Sequence, residues 1–163
     1  MGALRGIAGL RIRNHRRRRT GVGSQYGCPI PAPSIERLRA IPLFAGLDEP
    51  ALGLVAALAT EFSAPVGHVL VESGFPGLGM FILESGRVAV ELPDGRRVEL
   101  GPGEFFGELS LLTDRERSAR VHALTEVTCI ALSREHFWRL IEAEPRIAAS
   151  MLPIVAGRLA DQT

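Results

Sequence analysis

The sequence predicts a mainly β protein with flanking helices, and three observations predict it. From Glu61 to Ser133 the hydrophobic period is that of strands, with short runs at His68 to Val71, Met80 to Leu83, Val88 to Leu92 and Val98 to Leu100. Turn signals separate these runs at Gly74-Phe75-Pro76-Gly77, Ser85-Gly86, Pro93-Asp94-Gly95 and Gly101-Pro102-Gly103, a spacing of ~8–12 residues that belongs to sandwiches and barrels. On either side of this block the apolar residues return to helical spacing.

Taken in order, residues 1–33 read as a disordered basic tail. They hold 7 of the 19 arginines and no acid, and a Gly/Pro/Ser-rich stretch follows the run ending at Arg19. No apolar core follows Arg19, which argues against an export signal, and Gly6 stands where a myristoylation site needs Ser or Thr. Residues 34–163 form the folded domain and carry 12 arginines against 18 acids, a net of −6, which does not suit a nucleic-acid surface. Residues 34–60 are helical: Ile35, Leu38 and Ile41 share a face before Pro42 stops the segment, and Asp48 caps a helix to Thr60 that buries Leu52, Val55, Ala56 and Ala59. Residues 61–133 are the β block. Residues 134–162 are helical again: Ser133 caps a helix carrying Phe137, Leu140 and Ile141, and Glu144-Pro145 opens the last helix. That helix bears two apolar stripes, Ile147-Met151-Ile154 and Ala148-Leu152-Val155-Leu159, and Pro153 between them should kink it or cost it a hydrogen bond.

The chemistry concentrates in residues 101–123. Gly107 lets the backbone approach a ligand closely, and a helical turn starting at Glu108 would aim unpaired N–H groups at an anion. Arg117 adds a forked, permanently charged donor from the other side. Glu108 would repel a phosphate and makes sense only against a neutral hydroxyl such as a ribose 2′-OH. A hydroxyl and a phosphate that close together describe a nucleotide.

Phe106-Gly107-Glu108-Leu109 and Arg117-Ser118-Ala119-Arg120-Val121-His122-Ala123 resemble the phosphate-binding cassette of the cyclic nucleotide-binding domain. This is the family of catabolite activator proteins, regulatory subunits of cAMP-dependent kinases and cyclic-nucleotide-gated channels. The resemblance extends over residues 41–145, through Ile41-Pro42-Leu43-Phe44 and the glycine-punctuated hairpins from Gly74 to Gly86. It implies an eight-stranded jelly roll (double-stranded β-helix) whose strands are interrupted by residues 105–119. It implies Glu108 on the ribose hydroxyl, Arg117 and the amides of Gly107 and Leu109 on the phosphate, and Ser118 as a further donor. Phe106 belongs to the core. Counted from Glu144-Pro145, Gln162 and Thr163 fall where catabolite activators touch adenine. Ser118 in place of Thr favours cAMP over cGMP. Leu78 departs from the family's usual acid.

Other classes find little support. The chain has no Lys, which excludes a P-loop, and His15, His68, His122 and His136 have neither metal-ligand spacing nor a nucleophile motif nearby, so neither an enzyme nor a metal site is expected. Cys28 and Cys129 give no disulfide framework, in keeping with a cytoplasmic protein, and no apolar run reaches the ~18 residues of a membrane span. The expectation is a cAMP sensor that signals through its carboxy-terminal helices, with homodimerisation through the last helix and no sequence-specific DNA binding. The alternative is a jelly-roll interaction module that dimerises and has lost the nucleotide.

Overall fold

The computed structural model describes residues 33–161; the arginine-rich tail up to residue 32, together with Gln162 and Thr163, lies outside the described residues. Ser34 opens α1 (Ile35–Arg39), its hydroxyl accepting from Arg37 N, and Pro42 opens a 3-10 turn (Pro42–Phe44) where the sequence suggested only a stop. Proline is at home there because the first N–H of a helical turn has no partner to lose. Asp48 caps α2 (Glu49–Leu58) by accepting from Ala51 N, as expected. The helix ends two residues earlier than expected, because Thr60 already pairs with Ala131 as the first residue of β1. Its buried face is Ala51, Leu52, Val55 and Leu58, with Ala56 and Ala59 only partly covered.

Eight strands follow, interrupted by one short helix: β1 (Thr60–Ala64), β2 (Val69–Val71), β3 (Gly79–Ser85), β4 (Val88–Glu91), β5 (Arg97–Leu100), β6 (Phe105–Phe106), α3 (Leu109–Thr113), β7 (Arg120–Ala123) and β8 (Val127–Ser133). They form two four-stranded antiparallel sheets, ordered β1-β8-β3-β6 and β2-β7-β4-β5. The jelly roll implied by the cassette is therefore present. Alternation along the strands produces two cores. Phe81, Leu83, Phe106, Cys129 and Ala131 point into the space between the sheets and meet Leu70, Val88, Val121 and Ala123 from the opposite side. Met80, Ile82, Phe105, Ile130 and Leu132 point the other way, into a second core built with the helices. Phe81 anchors the inner core, edge-on to Phe62 at 5.6 Å and stacked on Phe106 at 5.2 Å. A sheet covered on both faces explains why β3 and β8 are apolar at nearly every position.

Ser133 caps α4 (Arg134–Ala143), accepting from His136 N, and α5 (Pro145–Asp161) ends the described chain. Helix α5 runs through Pro153 without a break. The carbonyl of Ala149 loses its N–H partner to the proline ring, but both residues are exposed, so water can serve it. The apolar stripes divide differently from the sequence reading. Ile147, Met151 and Val155 are buried on the domain, whereas Leu152, Ile154 and Leu159 remain exposed.

Candidate functional site

Cys129, Arg37 and the helices hold the scaffold; the site lies where the strands are interrupted. Burial pushes the Cys129 thiol up to about 12, so it is an inert core residue. Arg37 joins α1 to the roll through Glu61 at 2.8 Å and Glu84 at 2.6 Å.

Strand β6 delivers Phe106 to the inner core and is followed at once by Gly107, with φ +87°. Glycine is needed there twice over. An L side chain would be strained at that φ, and its Cβ would sit 2.6 Å from Arg117 Nη1 and 3.2 Å from Gly79 O. Glu108 then opens α3 without its side chain making a cap bond, so the first amides of α3 keep no acceptor within the helix. Between this turn, β4, β5 and the end of α5 lies a cavity of about 270 Å³. One part of its wall is polar, from Gly107 to Ser110 and from Arg115 to Ser118; the rest is apolar, chiefly Val71, Val90, Val98, Leu100 and Val121.

The expected residues Gly107, Glu108, Leu109, Arg117 and Ser118 all line this one cavity. Phe106, read as core, is buried and also lines it. Arg117 is held by two carbonyls and a hydroxyl: Nη1 donates to Gly107 O at 2.5 Å and to Ser110 Oγ at 3.1 Å, and Nη2 to Gly79 O at 2.6 Å. Two of its five N–H groups make no hydrogen bond to the described residues. Burial is the main cause that lowers its guanidinium to about 10, with Glu108 opposing and Arg134 adding to the fall. It therefore stays a cation at neutral pH. With Leu78 in place of an acid, Arg117 forms no ion pair among the described residues. A half-buried cation held by oxygen dipoles, with no ion pair of its own, is chemically suited to meet an anion. Ser118 is exposed on the cavity wall.

Glu108 is only 1% exposed and neither caps α3 nor pairs with Arg117. Its Oε1 accepts from Arg158 Nη1 at 2.6 Å, across half the domain from α5. The Arg158 Nη2 donates to Phe105 O at 2.6 Å, and the guanidinium lies 4.8 Å from the centre of the Phe105 ring. Glu108 Oε2 has no partner among the described residues. A second contact ties α5 over the cavity, from Arg96 Nη2 in the β4–β5 turn to Asp161 O at 2.5 Å. The sequence reading missed Arg158. The available signal was that a buried carboxylate needs a cation, and Arg158 is the one cation in the second half of the last helix. The expected contacts Gln162 and Thr163 lie outside the described residues.

Among the described residues no group of three or more His, Cys, Asp or Glu could hold a metal ion, and no helix is long and apolar enough to cross a membrane.

Three comparisons with known proteins bear on this geometry. The family model described as the cyclic nucleotide-binding domain matches residues 61–144. A cyclic nucleotide-gated potassium channel of Mesorhizobium japonicum is 38% identical over 109 residues, 67% of this chain and 30% of the channel. A CRP-like cAMP-activated global transcriptional regulator of Mycobacterium tuberculosis is 30% identical over 122 residues, 72% of this chain and 54% of the regulator. The crystal structure of the Thermus thermophilus catabolite activator protein superposes with a TM-score of 0.65 at 33% identity, covering 74% of this chain and 59% of that one. The chain thus spans between about a third and three fifths of the length of these proteins.

Proposed function

The chain belongs to the cyclic nucleotide-binding domain family, and on that premise we propose that it is a regulatory sensor for cAMP, ahead of cGMP, whose output runs through α4 and α5. One observation carries the reading. A single cavity joins a cation that forms no ion pair among the described residues, Arg117, to a buried carboxylate, Glu108, with one oxygen unpartnered among those residues, and backs both with an apolar wall. A ligand that fits must bring a negative group, a neutral hydroxyl and an apolar face, in that proximity. A cyclic nucleotide has all three in its phosphate, ribose 2′-OH and base.

The assignment of roles follows the charges. The cyclic phosphate takes the two free N–H groups of Arg117, the amides of Gly107 and Leu109 and the Ser118 hydroxyl. The 2′-OH donates to Glu108 Oε2, leaving Oε1 with Arg158. The base enters between the β4–β5 wall and α5, toward Gln162 and Thr163. Ligand then strengthens the closed position of α5 to the extent that it binds that state better than an open one. The exposed Leu152 and Leu159, on one stripe of α5, supply a surface through which two copies can pair. No sequence-specific DNA contact is assigned to residues 34–163, and a cytoplasmic ligand suits a cytoplasmic protein.

Calorimetric titration of the full chain with cAMP and cGMP, beside the Arg117→Ala variant, tests the proposal. Micromolar, saturable cAMP binding that weakens at least ~10-fold in the variant is expected, since a charge-assisted bond contributes about 1.5–3 kcal/mol. No heat with either ligand, from a folded and monodisperse sample, refutes it. The self-satisfied Glu108–Arg158 pair would then mark a jelly-roll interaction module that has lost its ligand.

A further inference from the structure

Arg117 carries a positive charge that the described residues do not balance. Its hydrogen bonds run to the neutral oxygens of Gly107, Ser110 and Gly79, and it forms no ion pair among those residues. Glu108, the buried acid of the same cavity, is already paired with Arg158 at 2.6 Å. A second guanidinium meets Arg117 at Ser110. Arg134 donates to Ser110 O at 2.9 Å and to Gly77 O at 3.1 Å, and its own partner is the exposed Asp114 at 2.8 Å. The charge of Arg134 acts against that of Arg117. The surroundings of Arg117 are therefore short of one negative charge, and burial makes the shortage unfavourable because less water is left to solvate the guanidinium.

A counter-ion then has to come from solution, and the cavity restricts which one. Two N–H groups of Arg117 make no hydrogen bond to the described residues, and the exposed Ser118 hydroxyl lies on the same wall. A guanidinium holds its donors in one plane, which suits two oxygens of a tetrahedral oxyanion better than a single halide ion. Glu108 narrows the choice further. Its Oε2 has no partner among the described residues, it lines the same cavity, and its charge reaches Arg117. Sulfate carries no proton at neutral pH, so it brings only acceptors to that carboxylate and is repelled. Phosphate at the same pH keeps at least one P–O–H, a donor that the carboxylate can accept.

We propose that the ligand-free site holds inorganic phosphate, selected over sulfate by a hydrogen bond from its P–O–H to Glu108, and that a nucleotide enters in exchange for this ion. Free phosphate thereby sets the apparent affinity for the nucleotide, and the protein reports a ratio of two concentrations. Occupancy by phosphate stands on the charges alone; the exchange rests on the function proposed above.

Calorimetric titration of the full chain, in a buffer free of both anions and at constant ionic strength, compares sodium phosphate with sodium sulfate. Phosphate is expected to saturate in about the millimolar range and to bind at least ~10-fold more tightly than sulfate. Arg117→Ala should abolish phosphate binding, and Glu108→Gln should bring the two anions to within about threefold of each other. Equal affinities in the wild type, or no phosphate binding below about 50 mM, overturn the proposal. So does phosphate binding that survives Arg117→Ala. Should either variant not fold, the wild-type comparison of the two anions decides alone. In a second arm cAMP is titrated in the presence of phosphate at about ten times its measured Kd. The apparent Kd for cAMP is expected to rise about 11-fold, and at most about twofold in the same concentration of sulfate. An apparent Kd indifferent to phosphate overturns the exchange. A wild type that binds phosphate but neither cAMP nor cGMP refutes the proposed function and leaves the phosphate site standing.

Discussion

Replacing Arg158 with Ala removes the cation that neutralises Glu108. The carboxylate is 1% exposed, and Arg158 supplies its one ion pair among the described residues, at 2.6 Å, so the variant leaves a buried charge without that partner. Breaking a fully buried pair costs about 3–5 kcal/mol. Arg158 is itself 24% exposed, so screening reduces that figure. The same substitution also strips Phe105 O of its 2.6 Å donor and the Phe105 ring of its cation. A loss of about 2–3 kcal/mol is the resulting expectation. Urea unfolding at neutral pH, followed by the fluorescence of Trp138, measures it, and with a slope of ~1–3 kcal/mol/M the midpoint should fall by about 1–2 M. Glu108→Gln in the same background removes the charge that needed a partner, so the double variant should recover about 1–2 kcal/mol of the loss. A loss below ~0.5 kcal/mol for Arg158→Ala, the level of an exposed surface pair, would refute the claim that this contact holds α5 on the site.

Three further outcomes follow from the same geometry. Gly107→Ala places a Cβ 2.6 Å from Arg117 Nη1 at φ +87°, so calorimetry should find cAMP affinity reduced at least ~10-fold, with a stability loss of only about 1–2 kcal/mol. A variant that binds as the wild type does would show that Arg117 need not stay where it is. With its guanidinium lowered only to about 10, Arg117 keeps its proton below that pH, and affinity should be flat from pH 6 to pH 9 and fall only as pH rises through about 10. A drop near neutrality would point to a different anion-binding group. Arg37→Ala leaves Glu61 and Glu84 facing each other without a cation and should cost about 2 kcal/mol in urea unfolding, after allowance for the one-third exposure of Arg37. Its cAMP affinity should not change, and a loss of binding would reveal an unexpected connection between α1 and the site.

Much of the fold could be read locally. Asp48 and Ser133 bond the amides three residues on, and the strand runs and turn glycines depend on neighbours two to four positions away. The site was legible to the extent that it is local: Gly107, Glu108 and Leu109 are consecutive, and Arg117 with Ser118 follows on the same connection. Where local pattern misled, tertiary pairing prevailed. Thr60 continued a helical pattern, but the edge of β8 offered it a strand partner. Likewise Leu152 and Leu159 lay on a plausible apolar stripe, yet the domain presents room for only one face of α5, which Ile147, Met151 and Val155 fill.

By itself, then, the sequence determined the alternation that makes two sheets, the caps that start the helices and the residue types that line the candidate site. Each is a matter of backbone conformation or of side-chain chemistry over a few residues. Only the tertiary structure decided which charges meet. Glu108 and Arg158 are fifty residues apart, Arg117 lies thirty-eight from Gly79, and Arg134 lies fifty-seven from Gly77. No spacing rule covers such pairs, because an arginine's reach lets many surfaces satisfy it. Packing of α4 and α5 against the roll selects one set of partners, and that choice turns an open cavity wall into a site closed by its own last helix.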